Sequence, residues 1–179
     1  MKRPQLEHII RASAAITGAD EFVVIGSQAV LGQFPDAPPE LTVSIEADLF
    51  TFRSPSDSDL IDGSIGQASP FHQTFGYYAH GVGHETAVLP AGWRERLIRI
   101  QNENTGGGAA LCLEVHDLAA SKLVAGREKD LNFVRALFHH KLADTDVIHR
   151  RIQSLPIALE QQEQCAARLK RLLASASNS

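Results

Sequence analysis

The chain changes character once, near residue 115, and that change limits its possible folds more than any other feature. Before it, apolar runs are short: EFVVIG at 21–26, LTVSIEADLFTF at 41–52, FGYYAHGV at 75–82, ETAVLP at 85–90, LIRIQNEN at 97–104 and ALCLEV at 110–115. Gly, Pro, Ser and Asp punctuate them, as they punctuate strands and short helices. After it, the stretches 116–126, 128–141, 144–155 and 157–175 all repeat apolar residues at helical spacing. A chain that switches period in this way is expected to build a small mixed, twisted sheet first and a helical region second. The fold class is α/β (α+β), with a core over 1–115 and a helical region over 116–179. No Pro/Gly/Ser-rich segment separates the two, so no flexible linker is expected. The terminal SASNS is expected to fray.

Within the first region, Leu6, Ile9, Ile10 and Ala14 predict a helix over 4–17 closed by Gly18. EFVVIG predicts a buried strand, and SQAVLGQF a helix over 27–34 begun directly after Gly26. The run 41–52 predicts the second strand, and SPSDSDLIDGSIG a Ser/Asp-capped helix over 54–66.

Composition narrows the function classes. The 179 residues are 44% hydrophobic and 21% charged, with a formal net charge of −4. That supports a packed core and gives no global basic signal for nucleic acid, though a local basic groove remains open. Cys112 and Cys165 form no CxxC or Cys/His cluster, so they are expected to be free thiols in a reducing compartment. The N-terminus has no apolar signal core, and no apolar run approaches a bilayer span. A cytoplasmic protein without membrane contact is expected.

Chemistry concentrates in two stretches. VVIGSQAVLG places a Gly-Ser pair at a strand-to-helix turn, where glycine permits close backbone approach and free N–H groups favour an anion. SIEADLF carries Glu46 and Asp48 two apart on a strand, so both point to one face. Two carboxylates that close repel each other and need a positive partner. Hard oxygen ligands in that arrangement suit Mg²⁺ completed by phosphate oxygens. The plain reading of the pair is a charged stripe guarding an edge strand. Histidine coordination is set aside: glycines between His80 and His84 break any shared helical face, and His139 and His140 are adjacent. Gly106–Gly108 lacks the following Lys-Ser/Thr of a phosphate loop.

Gly26, Ser27, Glu46 and Asp48 together resemble the nucleotidyltransferase-fold superfamily, the DNA polymerase β-like enzymes. The stretch 113–134, with Lys122, Arg127, Lys129 and Asp130, resembles small bacterial abortive-infection and toxin-type nucleotidyltransferases. The resemblance implies a Mg²⁺-dependent transferase, with a two-metal site, that moves a nucleoside monophosphate from an NTP to RNA, a protein or a small molecule. It implies that Glu46 and Asp48 bind metal and that Gly26 and Ser27 hold phosphates. Lys122 and Arg127 would neutralise the triphosphate. A third carboxylate is expected on a neighbouring strand, with Glu85 the choice and Glu114 the next. The alternative is a non-catalytic nucleotide- or partner-binding member of a toxin–antitoxin-like pair, its C-terminal helix meeting an antitoxin-like partner or a second copy.

Overall fold

The computed structural model describes residues 1–176, so 177–179, within the segment expected to fray, lie outside the described residues. The chain forms two compact units. The first comprises Met1–Thr86 and Leu97–Leu113; the second comprises Ala87–Arg96 and the chain from Glu114 onward.

The first unit is built on a five-stranded mixed sheet. Its strands are β1 (Glu21–Val24), β2 (Glu46–Phe50), β3 (Tyr78–Gly81), β4 (Ile98–Ile100) and β5 (Ala109–Cys112). Their spatial order is β3-β2-β1-β5-β4. β1 runs antiparallel to β2 and parallel to β5, while β2 and β3 are parallel. Phe22, Val23 and Val24 of the central strand are fully buried, so both faces of the sheet are covered at its middle.

Helix α1 (Arg3–Thr17) buries Leu6, Ile9, Ile10 and Ser13 along one stripe and ends at Gly18, whose N–H donates to the Ala14 carbonyl. Helix α2 (Ser56–Ile65) packs on α1 and on β3. A third helix, α3 (Pro70–Phe75), is not expected from periodicity, although its ends are chemically marked. Ser69 accepts from the His72 N–H, Pro70 occupies the first turn, and Gly76 closes it in the left-handed conformation. At one turn and a half it is too short for periodicity to show.

Four local expectations differ from the structure. Helix α2 starts from Pro55 with no side-chain cap hydrogen bond, in place of the expected Ser/Asp cap. The segment after Gly26 is a 3-10 helix over Ser27–Gly32, not an α-helix to Phe34. Gly32 there lies against β5, where a Cβ would stand 2.6 Å from the Cβ of Cys112. The second strand begins only at Glu46: Pro39–Leu41 form a 3-10 turn, and Val43 stands 78% exposed. Finally, ETAVLP is no strand; His84–Thr86 make a 3-10 turn.

The second unit contains α4 (Val115–Ala125), α5 (Glu128–His139), α6 (Thr145–Gln153) and α7 (Leu159–Ala176). α4 packs against the other three and buries Leu118, Ala119, Ala120 and Leu123. The others contribute Phe133, Val134 and Leu137, then Ile148 and Ile152, then Leu169 and Leu172. Their polar outer faces account for the helical periodicity read in the sequence. Within this unit, the Ala91 N–H of segment 87–96 donates to Ser154, and Arg96 pairs with Asp117. Cys112 and Cys165 are both buried free thiols, and burial pushes Cys112 up to about 12.

Candidate active site

The strand period and the β2–β3 register build one polar surface. Residues paired across a parallel ladder share a face. Glu46 pairs with Tyr78 and Asp48 with His80, so four polar side chains stand together while Ala47, Leu49 and Ala79 turn into the core. The Tyr78 hydroxyl donates to Glu46 Oε2 at 2.5 Å. His80 Nδ1 lies 3.1 Å from Asp48 Oδ1 and 3.5 Å from Glu46 Oε1. One ligand atom from each of Glu46, Asp48 and His80 falls within 4.8 Å of the others. These three form a cluster fit to hold a metal ion.

Electrostatics mark the same spot. Burial pushes the Asp48 carboxyl up to about 6, the hydrogen bond and charge of Glu46 push the same way, and His80 opposes them. Tyr78 is pushed up to about 12, first by its bond to Glu46 and then by burial. The His72 ring lies 4.7 Å from the Tyr78 ring and backs it from α3. A phenol and an imidazole thus contact the two acids. Their proximity remains unfavourable at neutral pH, the state of a site built for a positive ligand.

Gly26 forms one wall of this cluster. Its backbone lies at φ −80, which any residue adopts, so conformation does not explain the glycine. Proximity does: a Cβ at this position would overlap the Asp48 carboxylate. The Ile25 N–H donates to the Asp48 carbonyl at 3.1 Å, locking the two segments side by side. Ser27, which opens the 3-10 helix, follows immediately. Gly26→Val is expected to displace the Asp48 side chain and weaken divalent-metal binding by about tenfold or more, in the range of disturbed ligand orientation. Calorimetric Mn²⁺ titration of the variant checks this; unchanged affinity with an intact circular dichroism spectrum would refute it.

The remaining sequence candidates are not among these three clustered ligands. Glu85 lies in the 84–86 turn with its side chain 75% exposed, ion-paired to His84 at 3.3 Å, and is not one of the clustered ligands. Glu114 caps α4, accepting from the N–H groups of His116 and Asp117. Despite burial, which raises it, the His116 bond and these N–H groups hold its carboxyl below the usual range. Lys122 and Arg127 belong to the second unit, where both engage the buried Asp130. The Lys122 ammonium is 3.4 Å and the Arg127 Nε 2.6 Å from its carboxylate. Lys122 also lies over the Phe133 ring at 4.4 Å, and burial pulls its ammonium down against the opposing pull of Asp130.

Tyr78 and His80 are partners of the acid pair that sequence reasoning missed. The visible signal is YYAH, polar positions two apart on a run flanked by apolar residues. Only the register across β2 and β3 gives it meaning, and register is not written in either strand alone.

Among the described residues, no helix is long and apolar enough to cross a membrane. No curated protein and no solved structure matches the chain. A family described as "Nucleotidyltransferase of unknown function (DUF6036)" matches residues 5–172. The strand-borne acid pair, the Gly-Ser turn against it and the mixed sheet are thus features of a chain that belongs to this nucleotidyltransferase family.

Proposed function

We propose that the chain catalyses Mg²⁺-dependent transfer of a nucleoside monophosphate from an NTP to a hydroxyl acceptor. The observation that carries this reading is the convergence of Glu46, Asp48 and His80, with Gly26 pressed against Asp48. Two carboxylates and one imidazole fit a divalent cation, and the upward push on Asp48 is that of a site short of positive charge. The imidazole also suits Mn²⁺, which such a donor set accepts readily. When bound, the cation neutralises phosphate charge and aligns the reacting oxygens.

The chain's own groups then have separable tasks. Glu46 and Asp48 hold the cation, and His80 completes the protein ligands. Tyr78 fixes the Glu46 carboxylate by donating to Oε2. Gly26 keeps the backbone close, and Ser27 offers its hydroxyl and the turn's amides to the phosphates. Glu85 is not among the clustered ligands.

The test is transfer itself. Purified protein with Mg²⁺ or Mn²⁺, each of the four labelled NTPs and total RNA should yield labelled macromolecule. Glu46→Ala with Asp48→Ala should remove the label. Equal labelling by the double variant would reject the proposed site. Labelling of nothing by the native chain would favour a binding-only member of a two-gene pair.

A further inference from the structure

The second unit contains a recess of about 490 Å³ lined by Gly126, Leu131, Arg135, Arg168, Arg171 and Leu172. Three guanidiniums from α5 and α7 meet there in a chain whose net charge is −4. Among the described residues, none of the three pairs with a carboxylate. Arg135 donates to Asn132 on its own helix, and Arg171 to the Ala167 carbonyl on its own helix. Arg168 is anchored more firmly. Its Nη1 donates to the Leu123 and Val124 carbonyls at the end of α4. Gly126, at φ +64, gives it room, since a Cβ there would strike the Arg168 guanidinium. Arg168 thus closes α4 and lines the recess.

Three like charges around one cavity, none of them matched by an acid, are retained at a cost that an anion removes. Guanidinium forks match phosphate oxygens in geometry as well as charge. The volume lies in the range of a ligand the size of a nucleotide rather than a lone phosphate. The wall at Gly126 is a helix C-terminus, so it offers carbonyls and no amide cradle of the kind that encloses a single phosphate. Arg135 and Arg171 are exposed, while Leu131 and Leu172 supply an apolar floor. Side-chain cations over an open, partly apolar trough are the means by which proteins follow a single-stranded backbone.

We infer that this recess binds the phosphodiester backbone of single-stranded RNA. The inference extends the transfer reading by naming RNA as the acceptor class, and its test separates the two. Anisotropy of a fluorescein-labelled RNA oligonucleotide is measured with the full chain across a salt series. The native chain should bind. Arg135→Gln with Arg171→Gln should bind about tenfold more weakly, with a salt slope shallower by about 0.7 for each phosphate no longer neutralised. Both residues bond only within their own helices, so a melt matching the native chain is expected to show that the fold is kept. Glu46→Ala with Asp48→Ala should bind RNA as the native chain does, even if transfer is lost. No binding by the native chain would overturn the inference. So would native-like affinity in the double arginine variant, or displacement of the RNA by pyrophosphate at equal phosphate concentration.

Discussion

Asp48→Asn is expected to stabilise the protein at neutral pH while lowering nucleotidyl transfer by at least about a hundredfold, the loss of several kcal/mol of charge stabilisation. The stability change follows from the raised carboxyl. Asp48 is pushed from 3.8 to about 6 by burial and by Glu46, so the native state holds its proton more tightly than the unfolded chain does. Between those values the native state binds more protons, and stability therefore falls as pH rises. Above about 6 the full penalty is present, on the order of 2 kcal/mol after allowance for partial exposure. Asn keeps the shape and removes the charge. Urea unfolding from pH 4 to 8 should show the variant gaining on the native chain up to about pH 6 and holding that lead beyond it. A variant no more stable than the native chain at pH 7.5 would show that the acid pair is not under strain.

The same carboxyl sets a pH limit on the metal. A protonated Asp48 offers no anionic oxygen, so binding must expel the proton. Mn²⁺ affinity should fall by up to about tenfold per unit as pH drops below about 6, and level off above it. Added metal should raise the melting temperature of the native chain but not of Asp48→Asn.

The largest loss of stability is expected in the second unit, from removing the cations around Asp117. Its carboxylate is fully buried and held by Arg96 at 2.8 and 3.0 Å, with Arg151 Nε 2.9 Å away. Burial raises the Asp117 carboxyl, and the Arg96 bonds and charge oppose it. Arg96→Met with Arg151→Met leaves a buried acid without compensation, a change that costs about 3–5 kcal/mol. Adding Asp117→Leu should restore most of that loss, because a buried ion cluster replaced by packed hydrocarbon is near neutral. Denaturant unfolding of the native, double and triple variants decides the matter. A double variant within about 1 kcal/mol of native would mean that the cluster is solvated and of the weak surface kind.

Much of this architecture was legible because it rests on local periodicity. The stripe Leu6, Ile9, Ile10 defines α1, and the four helical stretches after residue 115 overlap α4 to α7. The acid pair was legible for the same reason, since Glu46 and Asp48 need only a period of two. What failed to show depends on partners distant in sequence. His80 and Tyr78 matter through a pairing with β2 that crosses 32 residues. The glycine at 26 signals a turn when read alone; in the fold it makes room for a carboxylate. The short 3-10 segments at 27–32 and 84–86 hold too few residues for any pattern to separate them from helix or strand. Lys122 looks like a reserve of charge in the sequence, yet its ammonium is matched by Asp130, eight positions on.

The excursion of segment 87–96 into the second unit carries a practical consequence. No single cleavage can part the two units, because the polypeptide enters the later one, leaves it, and re-enters at Glu114. A gene truncated after Leu113 would still encode this strap but not the residues that Ala91 and Arg96 grip, Ser154 and Asp117. During synthesis Arg96 of that strap waits for Asp117 in α4 and Ala91 waits for Ser154 after α6, so the strap is matched only once the chain has been made through residue 154.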